Sequence, residues 1–209
     1  MSPGQIGQSA AIMLFSYLLG SMPFGFITAR FRGVDITRQG SGSTGATNVL
    51  RTLGPAYAVP VLLLDVGKGA LAAYLGLRYL ELGTLGALIA GAAAISGHNW
   101  SVFLRFRGGK GVATSAGVVL VAFPMLLAVA VVVFLITVLV TRYVSLGSIL
   151  GSWAALFLSL SPEYSLVHRI PVMILVGLIT YQHRSNIKRL LSGTESKIGQ
   201  KVRKGGATR

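Results

Sequence analysis

The chain has 209 residues, of which 53% are hydrophobic and only 11% charged, and its mean hydropathy is +0.70; a soluble domain carries roughly 25% charged residues, so lipid is the expected solvent, and the length suits one domain, 1–209, rather than two. A net charge of +14, from 19 Lys and Arg against 5 Asp and Glu, in so apolar a chain points to anionic lipid, an anionic substrate or the basic loops of a membrane protein, and away from nucleic acid. Cysteine is absent, which excludes disulfides, thiolate nucleophiles and Cys-based metal sites.

Apolar runs and polar connections alternate along the chain. Ile6 to Phe31 is the first run and contains GSMPFG, Gly20 to Gly25. No basic n-region or cleavage site marks it as a signal peptide, so it reads as a mature helix. A polar, Gly-rich segment, Arg32 to Leu53, leads into Gly54 to Tyr79, which carries Asp65 and Lys68. A turn at Arg78 to Gly83 precedes Thr84 to Ser96, followed by the basic, Gly-rich segment Gly97 to Gly111. Val112 to Val140 is apolar and broken only at Pro124; Arg142 and Tyr143 form a short connection to Leu146 to Leu160. Polar Ser161 to Arg169 comes before the last run, Ile170 to Tyr181, and a basic tail closes the chain, its end at about 197–209.

A spanning helix needs about 20 apolar residues, and several runs are shorter. Charge decides the count. If Val112 to Val140 were one span, the tail would lie opposite the two Gly-rich segments. A turn at Pro124 instead puts every basic residue except Lys68, Arg78 and Arg169 on one side, the positive-inside pattern. The expectation is an all-α, polytopic membrane bundle of about seven transmembrane helices, N-terminus out and C-terminus in. Gly147 and Gly151, and Gly83, Gly86 and Gly91, read as close helix packing in lipid.

Three segments on that one side carry the chemistry. The first, GSGSTGATNVLR (Gly40 to Arg51), combines glycines able to turn backbone N–H groups into an anion nest with hydroxyl donors. Gly42, Ser43, Gly45, Thr47 and Asn48 are its candidate phosphate contacts, and Arg51 offers a planar fork for phosphate. The second, GHNWSVFLRFRGGKGVAT (Gly97 to Thr114), has Lys110 among Gly108, Gly109 and Gly111 at a helix start, an arrangement that attracts phosphate. It is no Walker motif, which needs Gly where Leu104 stands and Ser or Thr where Gly111 stands. Trp100, Phe103, Leu104 and Phe106, mixed with Arg105 and Arg107, suit the lipid–water interface; His98 reads as a structural hydrogen-bonding residue rather than a catalytic one.

The third segment, HRSNIKRLLSGTES (His183 to Ser196), sets His183 and Asn186 on one face if the last helix continues. Arg184, Lys188 and Arg189 read as headgroup anchors, and Glu195 as a salt-bridge partner that ties the tail down. Asp65 and Lys68, at i and i+3 inside a membrane helix, pair or face a polar cavity; a structural ion pair is at least as good a reading as a catalytic one. Ser148 either donates to a phosphate or caps its helix. No GxSxG elbow, HExxH or GxGxxG is present.

The first segment resembles the GSGNxGATNxxR signature of the bacterial acyl-phosphate:glycerol-3-phosphate acyltransferases, the PlsY family. The second resembles their GHxxxxFxxFxGGKGVAT, the third their HxxNxxR…G.E, with GSMPFG and DVGKG (Asp65 to Gly69) as further landmarks. The likeness runs in order over residues 17 to 200. It implies a seven-helix enzyme of the bacterial inner membrane, with its active site facing the cytoplasm. The enzyme moves an acyl group from acyl phosphate to the 1-hydroxyl of sn-glycerol 3-phosphate, giving lysophosphatidic acid and phosphate, the first step of phospholipid synthesis. It implies no cofactor and no metal, and as a partner the soluble enzyme that makes acyl phosphate.

By motif position, Ser41, Arg51, Lys110, His183 and Asn186 carry the catalysis and Glu195 is structural. One departure is Ser43, where the family has Asn, which predicts altered tuning rather than loss. The attacking hydroxyl needs a base: His183 or a substrate phosphate oxygen, the second favoured because a cationic pocket depresses a histidine's pKa. The competing class is an organic-phosphate transporter, disfavoured by the few helices and the lack of an inverted repeat.

Overall fold

The computed structural model describes residues 2–200. Every regular element among them is helical. In order they are α1 (Pro3–Ser21), α2 (Phe24–Phe31), a 3-10 turn (Ile36–Arg38), α3 (Ala46–Leu53), α4 (Pro55–Tyr79) and α5 (Thr84–Asn99). A second 3-10 turn (Val102–Leu104) follows, then α6 (Val112–Ala122), α7 (Pro124–Thr141), α8 (Val144–Ser159), α9 (Leu166–Gln182) and α10 (Arg184–Leu191).

Proline sets three of the breaks. Pro23 divides the first apolar run into α1 and α2, Pro55 opens α4 and Pro124 opens α7. A proline lacks the N–H that would continue the preceding helix, but its fixed φ suits a first turn. The long run Val112 to Val140 is therefore two helices. The Phe123 ring at the corner meets Tyr164 and His168 edge-on, at 5.6 and 5.4 Å. Pro171 lies inside α9, which begins at Leu166, earlier than the apolar run predicts.

Four stretches are long and apolar enough to cross a membrane: Pro3–Phe31, Pro55–Tyr79, Thr84–Leu104 and Pro124–Thr141. Three shorter apolar helices, α6, α8 and α9, accompany them. Outward faces are apolar too, Leu139 and Val140 of α7 being 79% exposed. Such a surface belongs against lipid rather than water.

The helices pack in two groups. Helices α1, α4, α5 and α6 form one, with α2 and α3 against α4; α7, α8 and α9 form the other. Glycine permits the close approaches. A Cβ at Gly151 would sit 2.6 Å from the Ala130 carbonyl oxygen, and one at Gly147 would sit 2.8 Å from Val138, the descending register of an antiparallel α7–α8 pair. One apolar cluster (Ala73, Ile95, Val118, Leu126, Ala155, Val176) joins the two groups at one end, and a second (Ala29, Ile36, Val49, Val61) seats α2 and α3 on α4. Between the groups a cavity of about 460 Å³ remains.

Helix α3 is absent from the sequence reading, which leaves Arg32 to Leu53 as an unbroken polar segment. Eight residues rarely hold a helix in water; Val49, fully buried in the second cluster, anchors this one.

Candidate active site

The three motif segments meet at the polar mouth of the cavity, whose remaining walls are mostly apolar side chains of α4, α6, α7, α8 and α9, with Asp65 and His98 also on its lining. Glu195 is the hub. Its carboxylate accepts hydrogen bonds from Asn186 Nδ2 at 2.7 Å, Ser145 Oγ at 2.8 Å and Arg189 Nε at 2.7 Å. Arg51 approaches it to 3.9 Å and donates to the Ser196 carbonyl at 3.0 Å. Burial raises the carboxyl's pKa, but the bonds from Asn186, Ser145 and Arg189 together outweigh it and hold it below the ordinary carboxylate value, so it stays ionised. One buried anion thus fixes residues from α3, α8, α10 and the tail.

Lys110 reaches in from the second segment and hydrogen-bonds the Asn186 side-chain oxygen. Burial, reinforced by Arg189 and Arg51 against the opposing pull of Glu195, lowers its pKa to about 8. Arg51, Lys110 and Arg189 outnumber the single carboxylate, so the mouth carries a surplus of positive charge suited to an anion.

His183 sits where the last helix breaks, ending α9 and preceding α10. Its Nδ1 lies 2.8 Å from the Ile179 carbonyl oxygen. A carbonyl only accepts, so Nδ1 carries the proton and neutral Nε2 is an acceptor. Burial first, and then the Lys110 charge, lower its pKa to about 4. The depression expected from sequence is present, with burial rather than the cationic field as its larger cause.

The expected phosphate contacts divide. Ser41, Ser43, Gly45, Thr47, Arg51, Lys110, Gly111, Ser148, His183 and Asn186 line the cavity; Gly42, Gly108 and Gly109 do not. The N–H groups of Gly42, Gly45 and Gly109 are bonded within the fold, to Gln39 O, Ser43 Oγ and His98 O, so none of these three is left over for a phosphate in this arrangement. Asn48 needs the same correction. Its oxygen accepts from Ser41 N at 3.0 Å, and its nitrogen donates to the carbonyls of Ile36, Gln39 and Ser43. It shapes the loop and leaves no donor for a phosphate. Ser43, the departure from the family pattern, helps close the same turn. Ser148 lies on the cavity and donates to Val144 O at 3.0 Å inside its own helix rather than capping it.

Two contributors escape the sequence reading. Ser145, 50 residues from Glu195, holds it directly, and Arg189, read as a headgroup anchor, is a Glu195 partner. Asp65 and Lys68 do pair, at 2.8 Å, with His98 beside them. Gly111 adopts φ +80°, open to glycine at little cost, and starts α6 without a side-chain cap, so the first turn of α6 faces the cavity beside Lys110.

Comparison with known proteins places this arrangement. Residues 10–193 match the glycerol-3-phosphate acyltransferase family. The chain is 50% identical over 190 residues to the glycerol-3-phosphate acyltransferase of Thermoanaerobacter sp. (strain X514), covering 90% of this chain and 95% of that one. Two crystal structures of PlsY, an integral membrane glycerol 3-phosphate acyltransferase, are 39% identical to it: the glycerol 3-phosphate form with TM-score 0.86 over 91% of this chain and 96% of that one, and the lysophosphatidic acid form with TM-score 0.83 over 91% and 95%. The chain therefore belongs to the glycerol-3-phosphate acyltransferase family of integral membrane proteins.

Proposed function

We propose that this chain transfers a fatty acyl group from acyl phosphate to the 1-hydroxyl of sn-glycerol 3-phosphate, releasing lysophosphatidic acid and inorganic phosphate. The observation that carries the reading is the meeting of Arg51, Lys110, His183, Asn186 and Glu195, from three distant segments, at the charged mouth of an apolar cavity. Both substrates bear phosphate, and the donor also bears a long apolar chain. A cationic mouth takes the first and an apolar cavity of this size takes the second. The relatives' names support glycerol 3-phosphate as the acceptor.

The glycerol oxygen attacks the acyl carbonyl carbon, a C–O bond forms, and the carbonyl–phosphate C–O bond breaks with its electrons leaving on phosphate. Ser41, Arg51, Lys110 and the start of α6 hold the phosphates, and the cations offset charge as it develops on the oxygens. Neutral His183 accepts a hydrogen bond from the neighbouring 2-hydroxyl through Nε2 and so aligns the glycerol, leaving the proton of the attacking 1-hydroxyl free to move. The proton passes to a substrate phosphate oxygen, whose pKa of about 6 makes it a stronger base than a histidine at about 4. Asn186 and Glu195 keep Lys110 and Arg51 in place.

The chain is read as one domain, 1–209, in a bacterial inner membrane; most of its basic end, 201–209, lies outside the described residues. It has seven spans, the four long apolar stretches and the three shorter helices, with the N-terminus out, the C-terminus in and the site facing the cytoplasm. The 11-residue α6 is about 16 Å long and ends inside the bundle. A soluble enzyme making acyl phosphate supplies the donor.

Proteoliposomes given labelled glycerol 3-phosphate and acyl phosphate test the class of activity. Label recovered as a chloroform-soluble lipid supports the reading; label moved into the lumen unchanged would make the chain a transporter.

A further inference from the structure

Beside the Gly108–Gly111 loop lies a group of ionisable side chains that the chemistry above does not use. Asp65 and Lys68 stand one turn apart on α4, and His98 lies near the end of α5; they are 2%, 3% and 7% exposed. Lys68 Nζ is 2.8 Å from Asp65 Oδ1 and donates to the Met22 carbonyl at 2.9 Å, between α1 and α2. His98 Nδ1 is 3.5 Å from the same Asp65 oxygen.

The other edge of that imidazole meets the loop. A Cβ at Gly109 would lie 2.1 Å from His98 Nε2, 2.9 Å from Cε1 and 3.0 Å from Cδ2, so its three nearest neighbours are all one ring. The Gly109 N–H donates to the His98 carbonyl at 3.0 Å, and a Cβ at Gly108 would lie 2.1 Å from that same oxygen. The glycines are therefore seats against His98, and the next residue is Lys110.

An ion pair buried only for stability explains less. Lys68 alone neutralises Asp65, and burying a further polar ring beside them adds desolvation cost. Placing that ring between a carboxylate and the backbone before Lys110 fixes geometry instead. Resting on the reading of this loop as a phosphate seat, we propose that Asp65 and His98 are positioning residues. The Asp65 carboxylate orients the His98 imidazole, and the ring sets the height of Gly109, holding Lys110 where it meets Asn186.

Steady-state kinetics of the purified full chain with acyl phosphate and glycerol 3-phosphate test this, with folding followed by thermal unfolding in detergent. Asp65→Asn and His98→Gln are each expected to raise the KM of at least one phosphate substrate tenfold or more, with a smaller change in kcat. The double variant should be no worse than the worse single one, because both act through one contact. Gly109→Ala pushes a methyl group into the ring, so its loss of activity should shrink when His98→Ala makes room. KM values within twofold of wild type, singles whose effects multiply, or no relief of Gly109→Ala by His98→Ala would each overturn the proposal. Should Asp65→Asn fail to fold, the Gly109 and His98 pair decides. An enzyme indifferent to Lys110→Ala would remove the phosphate seat itself; one that needs Lys110 but tolerates Asp65→Asn and His98→Gln removes only this inference.

Discussion

Two ionisations at the site predict how activity responds to pH. His183, with its pKa near 4, is neutral throughout the range in which a phosphate monoester takes up its second proton, about pH 6. The acid limb of the kcat/KM profile should therefore belong to the substrate. His183→Gln should lower turnover and leave that limb in place; a limb that moves or disappears would make His183 the base. Lys110 is charged below its pKa of about 8 and loses its charge as pH rises through it. Substrate KM should climb above pH 8, and Lys110→Arg should push that climb to higher pH, because an arginine does not deprotonate in this range. Kinetics across pH 5 to 10 reads both.

The element that sequence reading and structure treat most differently is the first Gly-rich loop. Its composition was legible as a turn-rich segment; Arg51, read from sequence as a phosphate fork, turns its guanidinium toward Glu195 and the Ser196 carbonyl at the cavity mouth. The eight-residue α3 was not legible, because tertiary burial of Val49, and not local propensity, holds it. Asn48 read as a ligand because its residue type suits one, yet its four bonds to the surrounding loop backbone occupy it fully. Asn48→Ala should leave the part-buried Ser41 N–H and several carbonyls unpaired. The expected loss is about 2 kcal/mol of stability, together with a fall in activity as Arg51 shifts; unfolding and kinetics of the one variant check both. The break at Pro124, by contrast, was readable because proline's effect is local. The role of Ser145 was not readable, since only folding brings it to Glu195.

For the whole molecule, the proposed seven spans rest on charge sidedness together with four long and three shorter apolar helical stretches. The chain lacks cysteine, so single introduced thiols report sidedness without background. Glu163→Cys, between α8 and α9, should react in intact cells with a membrane-impermeant maleimide, and Ser192→Cys, after α10, should react only after lysis. The reverse pattern, or both positions on one side, would contradict the proposed topology.

Donor choice tests the central claim most directly. Purified protein in detergent or lipid would receive labelled glycerol 3-phosphate with either palmitoyl phosphate or palmitoyl-CoA. Labelled lysophosphatidic acid is expected from palmitoyl phosphate alone, and is expected to be lost in Lys110→Ala. Product from palmitoyl-CoA alone, or from neither donor, would contradict it.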